Sequence, residues 1–461
     1  GTTAYYYHNT NKQYTGSIAW IDAMIVPQCN NNYIAGRAEL KRAFRSNSWT
    51  LGLNMQHNFL DYMEYTSMYI TTVEPNPSLL DMYAYGKYNV TSSNGALPAN
   101  YGGGYGSRNK SNRTKTALYL KDDLKLNARW TASLGFRAED LNMIDYHWAN
   151  GYYYNKSGSK VYQTLNEAEY MRHNFGQRFD WDASFNTLYK VGQNWGVLAD
   201  ATALSWWDCY WDYECRDTNN NPTANTSGVI RESTPCTYRS TVTNSGIGLY
   251  WNWSNYIQLV SKVLYTTKSH IRYGDATITN PANSAERTDC GPIYYGMHTL
   301  GWTTDIMSNP FKGFNFHFLI TWQKPQYKDF SYTAYGVTYD YSGNTIISMS
   351  KLLMEIDPSY QFCKNMVRAW VSLRYFGKQY GNMPNAFYYN GWWENFGGID
   401  VNLSRNFGLK FQVTNFLNQH GVKGDIQGAS QITNASSYYG RILMASGITP
   451  RTFSITANFK F

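Results

Sequence analysis

The last eleven residues, Arg451–Phe461, alternate without a break. Phe453, Ile455, Ala457, Phe459 and Phe461 hold one parity, and Thr452, Ser454, Thr456, Asn458 and Lys460 hold the other. Side chains of an extended chain point to opposite faces at every second residue, so this segment is a strand with one apolar and one polar face. The same split recurs upstream. Leu409, Phe411 and Val413 alternate with Lys410, Gln412 and Thr414. Val367, Ala369, Val371 and Leu373 oppose Arg368, Ser372 and Arg374. Leu134, Phe136 and Ala138 oppose Ser133, Arg137 and Glu139, and Phe314, Phe316, Phe318, Ile320 and Trp322 form one wholly apolar face. The period is that of strands throughout, which makes the chain all-β.

Strand length narrows the choice. The alternating segments run about 10–14 residues, against the ~5–6 of an ordinary globular strand. A tilted strand needs ~9–11 residues to cross the hydrocarbon of a bilayer. The connections also segregate. Short turns near Asn47, Asn127, Gly192, Trp253, Asn309, Lys364 and Asn406 alternate with long segments at 61–112, 144–176, 206–240, 269–292, 326–345, 378–394 and 418–449. These long segments read as irregular loops. Membrane barrels alternate in this way, with short turns on the periplasmic side and long loops outside. Strands flanking the seven turns, plus the terminal one, predict a transmembrane antiparallel β-barrel with about 15–16 strands present. The expectation is one barrel domain over 1–461, with 1–32 holding the end of a strand plus a loop and with no plug domain. The chain has no initiator Met and no leader, so Gly1 is read as a mature N-terminus or the start of a partial chain.

Composition agrees with that fold. Aromatics reach 17%, with 42 Tyr and 16 Trp, yet the mean hydropathy is negative. A soluble core concentrates Leu, Ile and Val, whereas a barrel with a lipid face, a wet face and polar loops gives this mixture. No apolar run is long enough for a membrane helix, and alternating strands never supply one. The net charge of +8 is scattered, without the basic block that nucleic acid attracts, so no nucleic-acid partner is expected. The charge suits a hydrated interior and anionic lipid head groups.

Several stretches carry a family resemblance. Tyr119–Arg137, YLKDDLKLNARWTASLGFR, resembles the mid-barrel hairpin of TonB-dependent receptors. Gly398–Gln419, GIDVNLSRNFGLKFQVTNFLNQ, is similar to that family's penultimate hairpin, with its Asn-Phe-Leu-Asn end at Asn415–Asn418. Asn32–Asn54 followed by Thr71–Leu80 is also similar, and the terminal Phe461, with Phe459, resembles the signal by which outer-membrane barrels are recognised for assembly. The resemblance implies a Gram-negative outer membrane and a ligand-specific uptake receptor energised through TonB. It implies a barrel of about 22 strands with a plug inside, of which this chain holds the C-terminal part. The ligand classes it opens are a ferric siderophore, haem, cobalamin, an oligosaccharide or a peptide. Implied partners are outer-membrane lipid and lipopolysaccharide, the TonB complex through a plug region, the barrel assembly machinery and a surface lipoprotein. Two readings compete: a passive porin of about 16 strands, and a soluble carbohydrate-binding β protein suggested by the aromatic clusters.

Those clusters are the candidate binding residues. Trp206, Trp207, Trp211 and Tyr213 crowd one segment, and Tyr388, Trp392 and Trp393 another. Flat aromatic faces suit a sugar, a peptide or a planar chelate, and they equally suit an interfacial belt packed at strand ends. Cys209, Cys215, Cys236 and Cys290 lie in turn-rich stretches and are candidates for loop disulfides, with pairing open and free thiols an equal alternative. No cysteine spacing is of the metal-binding kind, and no two His stand at i, i+4 beside a carboxylate, so no metal site is expected. His147 and His173 share one long segment. The glycine run Tyr101–Gly106 lacks the Lys-Ser/Thr of a phosphate loop. No nucleophile–base arrangement suggests catalysis, and no cofactor is expected.

Overall fold

The computed structural model describes residues 5–8, 12–16, 18–72, 78–84, 105–149, 151–154, 160–163, 171–216, 230–254, 256–280, 282–427, 429, 431–440 and 444–460, with side chains described for most of these. Fifteen antiparallel strands form one continuous sheet in strict chain order. They are β1 (Ile18–Ala43), β2 (Asn47–Thr72), β3 (Tyr105–Lys125), β4 (Trp130–Ala149) and β5 (Met171–Lys190). Next come β6 (Trp195–Arg216), β7 (Ile230–Trp253), β8 (Ile257–Asn280), β9 (Asn283–Ser308) and β10 (Phe314–Lys328). The last five are β11 (Leu352–Phe362), β12 (Val367–Phe376), β13 (Trp392–Asn402), β14 (Phe407–Thr414) and β15 (Thr452–Phe459). The seven expected short turns all lie at one end, which we call the turn end.

Alternation sets the two faces. Ile34, Ile247 and Phe453 on the apolar face are 74%, 66% and 75% exposed. A wall that leaves such side chains uncovered belongs in an apolar surrounding. Aromatics cluster on this face at the turn end. Trp251 stacks on Trp253 at 6.2 Å, and Phe311 on Phe314 at 4.9 Å. Phe459 stacks on Phe407 at 4.8 Å, joining the terminal strand to its neighbour. This is the interfacial girdle of a membrane barrel. Phe461 lies outside the described residues.

Two expectations need correction. Residues 18–32 are not a strand end plus a loop, because β1 begins at Ile18 and pairs along β2 to Ala43↔Ser48. The segments 61–112, 144–176, 206–240 and 269–292 are not irregular throughout. The strands continue deep into them, and β8 pairs with β9 out to Asn280↔Asn283, where Asn280 Oδ1 accepts the Ala282 N–H at 2.9 Å. Strands β1–β9 thus run 20–26 residues, about twice the ~9–11 that hydrocarbon requires. Alternation weakens beyond the membrane because both faces are wet there, and the strand signal fades with it. Strands β11–β15 are 8–11 residues long and give way to folded loops.

The sheet is open among the described residues: β1 pairs only with β2, and β15 only with β14. Topology has a direct check. A Cys replacing Asn406, in the turn between β13 and β14, should stay unlabelled on intact cells by an impermeant maleimide. A Cys replacing Val337, at the loop end and 41% exposed, should react. The reverse pattern would invert the orientation.

Candidate functional site

The polar parity of the wall lines the inner face with paired charges. Glu139 accepts Lys115 Nζ at 2.7 Å and Arg137 Nη2 at 2.6 Å, with its side chain only 12% exposed. Arg137 Nε lies 4.0 Å from Asp182, on the next strand. Along the first strands, Arg37 Nε donates to Tyr119 Oη at 2.7 Å, and that hydroxyl donates to Glu39 Oε1 at 2.5 Å. The Tyr119 ring lies flat over Gly52, its register partner, where a Cβ would sit 2.0 Å from the ring. Lys262 on β8 pairs with Asp200 on β6, reaching over β7 at Gly246. A Cβ there would meet Leu264 at 2.8 Å and Lys262 at 3.0 Å. These residues leave a polar, charge-paired inner face, as the interior of a membrane barrel has.

At the loop end, the segments after β10, β12 and β14 fold into a packed roof. Tyr327, Phe330, Tyr341, Ile346 and Met383 form a buried cluster with Ile293 of β9. Phe330 is fully buried, stacking on Tyr295 at 4.7 Å and meeting Tyr341 edge-on at 5.2 Å. A hairpin at 331–340 packs above it. Tyr332 Oη and Tyr341 Oη share a hydrogen bond of 3.2 Å, and burial pushes both phenols above their usual range, so both remain neutral.

Asparagines supply the roof's missing backbone partners. Buried Asn382 donates to the carbonyls of Ala429 and Ile432, both at 2.9 Å. Its Oδ1 accepts the N–H groups of Ala386 and Phe387 at 2.9 and 3.1 Å. Asn415 has a φ of 51° and donates to the carbonyls of Gln419 and Thr449. Asn tolerates this left-handed conformation better than most residues, which accounts for the Asn-Phe-Leu-Asn pattern at the end of β14.

The predicted binding aromatics divide. Trp206 and Trp207 are adjacent in a strand and take opposite faces, so they form no single platform. Lys268 Nζ stands 5.4 Å from the Trp206 ring centre. The Trp207 ring has Arg178 at 5.4 Å and Arg239 at 5.8 Å, and the Trp207 backbone N–H donates to Asp180 Oδ1 at 2.8 Å. Trp392 is buried and stacks on Phe376 at 5.2 Å, while Trp393 meets Tyr375 at 5.0 Å on the other face. Tyr388 is exposed beneath Lys378 Nζ at 3.6 Å. Every described member therefore has a neighbour against its ring. The side chains of Trp211, Tyr213, Cys209, Cys215, Cys236 and Cys290 lie outside the described residues, as do those of His147 and His173 and the glycine run 101–104. Their backbone register sets Cys209 opposite Thr237 and Cys215 opposite Arg231. The asparagine hubs and buried tyrosines of the roof were missed by sequence reading. Their one signal was the density of Tyr and Asn between β10 and β15.

A crease of about 740 Å³ opens on the apolar outer face, lined by Ala369, Gly397, Phe411 and Phe453, away from the lumen. It arises where small residues sit between bulky ones.

No family model matches the sequence, and no curated protein matches it. Solved structures do. The ferric preacinetobactin receptor BauA from Acinetobacter baumannii aligns over 96% of this chain and 55% of its own, at 13% identity and a TM-score of 0.53. The ferric yersiniabactin uptake receptor FyuA from Yersinia pestis aligns over 95% of this chain and 62% of its own, at 10% identity and a TM-score of 0.52. The siderophore receptor PiuA from Acinetobacter baumannii aligns over 94% of this chain and 64% of its own, at 12% identity and a TM-score of 0.51. All three are TonB-dependent outer-membrane receptors. The chain thus has the wall fold of the β-barrel in such receptors, and it spans less than two thirds of the length of each of these three.

Proposed function

We propose that this chain is the barrel wall of a Gram-negative outer-membrane uptake receptor for a specific ligand, energised through TonB. The observation that carries the reading is a wall of fifteen strands whose first nine rise far beyond the membrane. General porins need no such walls for passive diffusion. A tall wall with a packed roof suits capture of a scarce ligand before transport. The likeness to siderophore receptors favours a ferric chelate among the candidate classes. The exposed Tyr388 with Lys378, and Trp206 with Lys268, are the contacts we assign to an anionic, planar ligand.

The open sheet bears on the rest of the protein. In lipid, an unpaired strand edge leaves a row of N–H and C=O groups unsatisfied. We therefore infer that further strands pair with β1 and β15, and that a plug occupies the lumen and contacts TonB. Lipid and lipopolysaccharide surround the wall, the assembly machinery reads the terminal strand, and a surface lipoprotein is a further candidate partner.

The test is growth of a deletion strain with ferric chelates, haem, cobalamin, glycans or peptides as the limiting nutrient. Uptake of one ligand class should disappear with the gene and also with TonB. Uptake that persists without TonB and falls for all small solutes alike would sink the receptor reading in favour of a pore.

A further inference from the structure

The inner face where β9, β10 and β11 meet carries one imidazole among carboxylates from neighbouring strands. His317 of β10 faces Asp357 of β11 in register, with Nδ1 3.1 Å from Asp357 Oδ2. On its other side, Nε2 lies 3.1 Å from Asp305 Oδ1 of β9. Glu355 stands two residues from Asp357 on the same face. One ligating atom each from His317, Glu355 and Asp357 lies within 4.8 Å of the other two.

We propose that His317, Glu355 and Asp357 bind a divalent first-row transition cation, with Asp305 holding the imidazole from behind. Two observations converge. A metal-bound His usually donates its remaining N–H to a carboxylate, which fixes its tautomer. Asp305 occupies that position on Nε2, leaving the Nδ1 lone pair directed at Asp357 and Glu355. Two ligand atoms each about 2.0–2.1 Å from a tetrahedral ion are about 3.3 Å apart, close to the 3.1 Å between Nδ1 and Oδ2.

Charge and sheet geometry agree. Asp305, Glu355 and Asp357 bring three negative charges, and Arg374, 3.3 Å from Glu355, returns one. With a neutral imidazole, the two that remain equal the charge of one divalent ion. The ladder between β11 and β12 also skips Asp357 and Pro358, resuming at Ser359↔Trp370. Proline has no N–H for a ladder bond. The ion would clamp β10 to β11 at this break in the neighbouring ladder. Imidazole with carboxylates suits Zn²⁺, Mn²⁺, Co²⁺ or Ni²⁺ more than Ca²⁺ or Mg²⁺.

The experiment uses the full chain folded in detergent. After equilibration with Zn²⁺ and removal of free ion, the wild type should retain one equivalent, counted by elemental mass spectrometry. Co²⁺ should give a visible ligand-field band. His317→Ala and Asp357→Asn should lose that equivalent and the band. Asp305→Asn should keep the band but weaken binding about 10–100-fold. His57→Ala, on another strand, should change nothing. A wild type that retains no ion overturns the proposal, as does His317→Ala retaining its equivalent. If these variants do not fold, Zn²⁺ protection of wild-type His317 from imidazole acylation, read by peptide mass spectrometry, decides the matter, and equal acylation with and without Zn²⁺ refutes the site.

Discussion

Replacing Asn382 with Ala should release the roof while leaving the membrane wall intact. The side chain is 2% exposed and makes four hydrogen bonds, two given and two received. At about 1 kcal/mol net for each bond, the loss is on the order of 4 kcal/mol, and two carbonyls and two N–H groups are left to find water. No other side chain described there reaches all four groups. Hydrogen exchange should quicken around residues 382–390 and 429–440, and proteases should cut there. Asn382→Asp keeps the two accepted bonds and loses the donated ones, so it should fall between. Heat-modifiable mobility on gels, which reports the barrel, should be unchanged in both. Equal exchange rates in the wild type and Asn382→Ala would show that the roof is held by its tyrosine cluster instead.

The second large effect comes from two adjacent residues in β10. Phe318→Arg should destabilise the folded protein by about 2–4 kcal/mol, the cost of a cation near mid-membrane on the lipid face. Leu319→Arg should cost little, since the neighbouring parity faces the lumen, opposite Asp305 and Glu355. Urea titration of protein refolded into vesicles measures both. Equal losses would deny that alternation assigns the two faces, and a larger loss for Leu319→Arg would reverse them.

Much of the wall was legible in advance. A strand inside hydrocarbon has no freedom in its parity, because one face meets lipid and the other water. The seven turns, the count of about fifteen strands and the outer placement of Phe316, Phe411 and Phe459 all follow from that. The outer ends of β1–β9 were read as loops because alternation loses its physical cause once both faces are wet. The roof was illegible for another reason. Asn382 and Asn415 act on backbone groups up to 50 residues away, and nothing in a polar, tyrosine-rich segment announces such distant partners. Trp206 and Trp207 looked like one surface in the sequence, and strand geometry divided them between two.

The sequence by itself determined the all-β class, the two faces of the wall and the end at which the strands turn, because lipid and water sort side chains at a period of two. Only the tertiary structure decided which distant residues meet. Register across β9, β10 and β11 brings Asp305, His317 and Asp357 to hydrogen-bonding distance, and a slip of one residue would turn them to opposite faces. Pairing between strands is a property of the folded sheet, and a single strand's alternation carries no record of it.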